Sequence, residues 1–106
     1  MTRILIIGAH GQIAQVATRL LLERGDVELT LYLRRSNRLS HLASRPGVRL
    51  VEGDAADLDK LMGVMAGHDA VYANLSGAMG RQARAIVKAM QACDVKRLIY
   101  ISSMGI

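Results

Sequence analysis

The sequence predicts an α/β domain: a doubly wound parallel sheet of five strands in the order 3-2-1-4-5, with helices on both faces. Three observations carry this prediction. Short apolar runs alternate with segments of helical periodicity from end to end, as parallel strands joined by crossover helices require. The first run, Ile4-Leu5-Ile6-Ile7, is continuous rather than alternating, which marks a strand covered on both faces. Directly after it come small residues spaced as Gly8, Gly11 and Ala14, at the junction between a strand and a helix.

The elements follow in order. Arg3 to Ile7 is strand one. Ile13, Val16, Ala17, Leu20 and Leu21 recur at helical spacing, and Gly25 closes that helix. Glu28 to Leu33 is strand two, with Leu29, Leu31 and Leu33 on one face. A short helix follows Ser36-Asn37, either of which can cap it, and stops before Pro46-Gly47. Val48 to Glu52 alternates through Arg49 and is an edge strand. Asp57 caps a helix with the apolar stripe Leu58, Leu61, Met62 and Met65, and Gly67 ends it. Asp69 to Asn74 is strand four. Ala83, Ile86, Val87, Met90 and Cys93 mark the last helix, and Arg97 to Ser102 is strand five. The strand order reverses beside strand one, which is where such sheets bind ligands.

Bulk properties bound the function. With 106 residues the chain forms one domain, and 51% apolar against 22% charged residues is an ordinary globular balance. Three Tyr, no Phe and no Trp leave an aliphatic core in which six Met fill gaps. No apolar run approaches the roughly 18 residues that span a membrane, and no signal peptide is evident. One Cys excludes an internal disulfide and fits a reducing cytoplasm, the expected location. Three scattered His and that Cys show no metal-ligand spacing, so no metal site is expected. The net charge of +5 has a local origin: between Glu28 and Glu52 there is no acidic residue, but Arg34, Arg35, Arg38, Arg45 and Arg49. This patch suggests a phosphate-bearing ligand, or else a solvated basic surface. No aromatic residues suited to base stacking interleave the arginines, which argues against nucleic acid.

The glycine turn has a physical reason to bind a pyrophosphate. Gly8 allows a tight exit from strand one. Gly11 has no Cβ, so backbone N–H groups near Gln12 and Ile13 can approach an anion at the positive end of the helix. Ala14 suits close packing of helix on sheet. His10, in the turn, either hydrogen-bonds a phosphate or points into solvent. The end of strand two chooses the cofactor. NAD(H)-binding domains carry a carboxylate there for the ribose 2′-OH; here the position falls on Arg34-Arg35, and a guanidinium pairs with a 2′-phosphate. NADP(H) is therefore expected over NAD(H). Asp54 is placed to accept from the adenine amino group, with Ala55 beside it, or to cap the next helix. "ANLSG", residues 73–77, leaves strand four where its backbone and Asn74 can line the second ribose, although any α/β loop would look similar.

These residues resemble the short-chain dehydrogenase/reductase superfamily, in its atypical branch of NmrA-like and flavin-reductase (biliverdin reductase B)-like NAD(P)H-binding proteins. "IIGAHGQIA", "LYLRRSNRL", "VEGDAADLDKL", "GHDAVYANLSG" and "ARAIVKAMQACDVKRLIYISS" carry the resemblance along the whole chain. It implies a Rossmann-like fold with NADPH across the top of the sheet. The implied contacts are the turn (Gly8, Ala9, His10, Gly11, Gln12, Ile13), then Arg34, Arg35, Asp54 and Ala55, and the loop at Asn74, Leu75 and Ser76. It also implies a serine near the nicotinamide at Ser103, next to Ser102, as an anchor for substrate or cofactor and the one candidate catalytic residue.

The chain departs from the mainstream superfamily in one respect. None of Tyr32, Tyr72 or Tyr100 has a Lys four residues on; those positions hold Ser36, Ser76 and Met104. Family members continue well beyond that serine, so the sequence is expected to be the N-terminal, cofactor-binding part of an NADPH-dependent oxidoreductase, inactive by itself. Flavin, quinone, carbonyl and nucleotide-sugar substrates remain open. The alternative is an NADP(H)-sensing module that controls a partner without turnover. Strand five would then be an open apolar edge prone to self-association.

Overall fold

The computed structural model describes residues 2–9, 11–75 and 79–102. Strands β1 (Thr2–Ile7), β2 (Val27–Leu33), β3 (Val48–Glu52), β4 (Ala70–Leu75) and β5 (Leu98–Ser102) form one sheet in the order β3-β2-β1-β4-β5. Every pairing is parallel, with Ile6 opposite Leu31 on one side and Tyr72 on the other. Helices α1 (Gln12–Arg24), α2 (Leu58–Met65) and α3 (Met79–Cys93) and a 3₁₀ segment, Ser36–Leu42, make the crossovers.

Alternation along the strands divides the core in two. Ile6, Leu29, Leu31, Leu33 and Tyr72 pack with α1 and the 3₁₀ segment. Leu5, Ile7, Tyr32, Val71 and Ala73 pack with α2 and α3. Gly25 ends α1 in the left-handed conformation, with φ +77°. The Asp57 carboxylate caps α2, accepting from the Lys60 N–H at 3.2 Å.

The expected stripes are buried in part: Leu61 and Met65 on α2 and Ile86 and Met90 on α3 lie in the core, but other large apolar residues do not. On α1 the buried residues are Ala14 and Thr18, while Ile13, Val16 and Leu20 are exposed. The turn at Gly8 brings α1 close to the sheet, so small side chains fill the closest contact, while Leu21 and Leu22 pack against the same core farther along the helix. On α2 Val64 is buried in place of Met62, and on α3 Ala85 and Ala89 are buried in place of Val87. Gln82 extends the buried face of α3, and its Oε1 accepts no hydrogen bond among the described residues. The helix expected after Ser36 is 3₁₀, kinked at Leu39. On β5, Leu98 and Ile99 are exposed.

At the opposite end of the sheet from the glycine turn, His68 is buried. Its Nδ1 lies 3.1 Å from the Met65 carbonyl, which can only accept. Nδ1 therefore carries the proton, and Nε2 accepts from the Thr30 hydroxyl at 2.8 Å. Burial chiefly, and then the Arg3 and Arg49 charges, hold the His68 pKa below its ordinary 6.5, against the pull of the Met65 carbonyl. In the unfolded chain His68 protonates first, so its contribution is complete above pH 6.5 and is lost as pH falls below that value. We expect the urea midpoint to drop between pH 8 and pH 5.5 in the native chain. In His68→Gln that component of the drop should be missing; an identical drop in both proteins would refute the assignment.

Candidate functional site: the carboxyl edge of the sheet

Chain direction and parallel pairing bring the ends of β1, β2, β3 and β4 to one edge, at the point where the strand order reverses. Gly8 leaves β1 with φ +76°, a conformation that favours glycine. A Cβ there would run into the Asn74 carbonyl oxygen, and one on Gly11 would run into the Asn74 side-chain amide. The two glycines thus have a role that spacing alone did not reveal. They let the turn close over the end of β4, which sets Asn74 beside it.

The turn is pinned from β2. The Tyr32 carbonyl accepts from the N–H groups of Gly8 at 2.9 Å and Ala9 at 3.2 Å, and Gly11 N–H donates to the Gly8 carbonyl at 3.0 Å. The Ala9 N–H is therefore spent on the scaffold, and its side chain is fully buried. Gly11 is the N-cap of α1, and its carbonyl accepts from Gln15 N–H at 2.9 Å. The N–H groups of Gln12 and Ile13 precede the first intrahelical bond. No side chain caps this end, and the first turn holds no acidic residue. A 13-residue helix thus offers its positive end at the sheet edge.

Tyr32 ties a second loop to the same edge. Its ring is fully buried, and its hydroxyl donates to the Asp54 carbonyl at 2.7 Å. Gly53 sits over the ring, where a Cβ would meet the phenol oxygen, and Gly53 N–H donates to the Leu33 carbonyl at 2.9 Å. One residue therefore holds the glycine turn through its main chain and the loop after β3 through its side chain. Burial, and then the Asp57 and Asp54 charges, push the Tyr32 phenol up to about 12. We expect Tyr32→Phe to lower stability by about 1–2 kcal/mol, because the Asp54 carbonyl loses its donor. The native chain should also lose stability as pH rises from 10 through 12, since the unfolded phenol ionises first. Urea titrations of both proteins at pH 8 and pH 11 check this; an equal alkaline loss in Tyr32→Phe would contradict it.

The Asp54 carboxylate accepts from Ala56 N–H at 2.8 Å, closing a turn, and its other oxygen lies 3.7 Å from the Arg34 guanidinium. Helix capping belongs to Asp57 instead. Arg34 and Arg35 are both exposed just past β2. Leu75 and Ser102 close β4 and β5 opposite each other in register. His10, Ser76 and Ser103 lie outside the described residues. Sequence reasoning missed the part played by Tyr32; the available signal was Gly53, a glycine with no turn of its own to explain it. Among the described residues no cluster of His, Cys, Asp and Glu could hold a metal, and no helix is long and apolar enough to cross a membrane.

Comparison with known proteins agrees with this geometry. The model of an NAD(P)H-binding family matches residues 8–106. A Rossmann-fold NAD(P)-binding family protein from Shigella flexneri is 37% identical, with a TM-score of 0.86 over 92% of this chain and 50% of that one. A wide-type short-chain dehydrogenase/reductase from Veillonella parvula, solved with NADP, is 30% identical, with a TM-score of 0.88 over 98% of this chain and 48% of that one. An NADPH-dependent quinone oxidoreductase from Escherichia coli, at 24% identity and a TM-score of 0.78, covering 92% of this chain and 35% of that one, shares the fold. No curated relative matches. The chain spans about half the length of the first two solved relatives. With a reversal-point glycine turn, an uncapped helix end and that match over most of its length, the chain belongs to the NAD(P)H-binding family of Rossmann-fold proteins allied to the short-chain dehydrogenases/reductases.

Proposed function

We propose that the chain is the NADPH-binding part of an NADPH-dependent oxidoreductase. The observation that carries this is the placement of Arg34 and Arg35 at the end of β2, on the same sheet edge as the uncapped start of α1. Gln12 and Ile13 N–H groups would hold the pyrophosphate, at the turn that Gly8 and Gly11 let close over the end of β4. The guanidinium groups would take the 2′-phosphate, and Arg34 would share its charge between that phosphate and Asp54. The Asp54 carboxylate, beside Ala55, would accept from the adenine amino group. Asn74, with Leu75 and Ser76, would line the second ribose, and Ser102 and Ser103 would anchor the nicotinamide end. The chemistry supplied by the cofactor is hydride transfer from the nicotinamide; the protein binds and orients.

For the whole protein we propose a flavin, quinone, carbonyl or nucleotide-sugar substrate and a cytoplasmic location. Steady-state oxidation of NADPH by the complete protein with a flavin or a quinone tests the enzymatic assignment. Saturable NADPH binding without oxidation of any of the four substrate classes would assign the sensing module instead. The exposed Leu98 and Ile99 on β5 support self-association through that edge. Light scattering should then show a mass that rises with concentration; a constant monomer mass would exclude it.

A further inference from the structure

On the face of the sheet that carries α1, a cleft of about 390 Å³ runs between that helix and the 3₁₀ segment. Its volume lies within the range of about 300–1,000 Å³ in which small-molecule sites fall. The cleft touches the glycine turn only at its upper end, through Ala9 and Gln12, and continues down α1 to Leu22. Arg19 is seven positions beyond Gln12, roughly 10 Å along the helix at 1.5 Å per residue. The cleft therefore extends well away from the pyrophosphate position.

Its chemistry is two-sided. Val16, Leu22, Leu39 and Leu42 supply an apolar lining, Arg19 and Arg45 supply the cationic groups, and His41 also lines the cleft. Among the described residues no Asp or Glu lines it. Among the described residues neither Arg19 nor Arg45 forms an ion pair, although four other basic side chains, Arg3, Arg24, Arg34 and Lys96, do. Thr18 is spent, its hydroxyl donating to the Ala14 carbonyl at 2.8 Å. An apolar lining flanked by two unneutralised guanidinium groups matches a ligand with an apolar body and an anionic head.

We infer that the cleft between α1 and the 3₁₀ segment binds a small amphipathic organic anion, such as a medium-chain or aryl carboxylate. The body lies on Val16, Leu22, Leu39 and Leu42, and the head is held by Arg19 and Arg45. Val16, exposed although apolar, is part of that lining.

Octanoate is a suitable probe, with 1-octanol and inorganic phosphate as its apolar and anionic halves, followed through backbone-amide NMR shifts of the whole chain. No dinucleotide is added, so the outcome is independent of the proposed NADPH site. Octanoate should bind saturably, with shifts confined to residues 12–22 and 39–45 and with both half-probes weaker. Arg19→Gln and Arg45→Gln should each weaken octanoate about tenfold or more, as loss of one charge-assisted contact would. Val16→Glu, a change at an exposed position, should abolish binding while leaving the fold's amide spectrum intact. The proposal fails if 1-octanol binds as tightly as octanoate, or if phosphate does. It also fails if the arginine variants bind octanoate normally, or if the shifts centre on Leu98 and Ile99.

Discussion

Gly8→Ala is expected to destabilise the domain by about 2–5 kcal/mol. Two penalties add at this position. The left-handed φ of +76° costs a residue with a Cβ about 1–2 kcal/mol. The new methyl would also overlap the Asn74 main-chain carbonyl, and forcing atoms into a packed site costs about 1–3 kcal/mol. Against a total stability of about 5–15 kcal/mol, that leaves a marginal fold. Gly25 provides the control. It has nearly the same φ, +77°, but nothing lies within 4 Å of a Cβ built there. Gly25→Ala should therefore show the conformational cost alone, about 1–2 kcal/mol. Urea midpoints of the two variants separate the terms. Equal losses would mean that Asn74 does not press on the turn.

Reversing charge at the end of β2 should have the largest effect on binding. Arg34→Asp removes a guanidinium and places a second carboxylate beside Asp54, whose oxygen lies 3.7 Å from the native Arg34 group. Arg35→Asp removes the neighbouring charge without touching that pair. Each should weaken NADPH by about 10- to 100-fold, the range expected for a charge-assisted contact worth about 1.5–3 kcal/mol. NADH, without a 2′-phosphate, should change far less, and high salt should narrow the gap between native and variant proteins. Calorimetric titration with both nucleotides checks this. NADPH affinity unchanged in both variants would remove the arginines from the site.

How far this molecule was legible in its sequence differs by level. The strands and their faces were readable because Leu29, Leu31 and Leu33 alternate and β1 carries the continuous apolar run Ile4 to Ile7, patterns fixed by backbone period. The helix faces were less so. On α1 the periodic aliphatics Ile13, Val16 and Leu20 lie outward, while Ala14 and Thr18 meet the sheet. Apolar spacing shows that a helix is amphipathic, but close approach at a glycine turn selects small residues, which carry little hydrophobic signal. The same reasoning applies to Ala85 and Ala89 against Val87. In the candidate site, Arg34 and Arg35 could be placed from strand length alone. Asn74 against Gly8 and Gly11, and Tyr32 beneath Gly53, could not, because each joins segments distant in sequence through tertiary packing. The ion pair between Arg34 and Asp54 is of the same kind.

The central claim is that this chain holds a dinucleotide at the carboxyl edge and reads its 2′-phosphate. Titrating NADPH and NADH separately into the native chain tests it most directly. Saturable NADPH binding, at least about tenfold tighter than NADH and weakening as salt rises, is the predicted result. NADH bound as tightly as NADPH, or neither nucleotide bound, would contradict it.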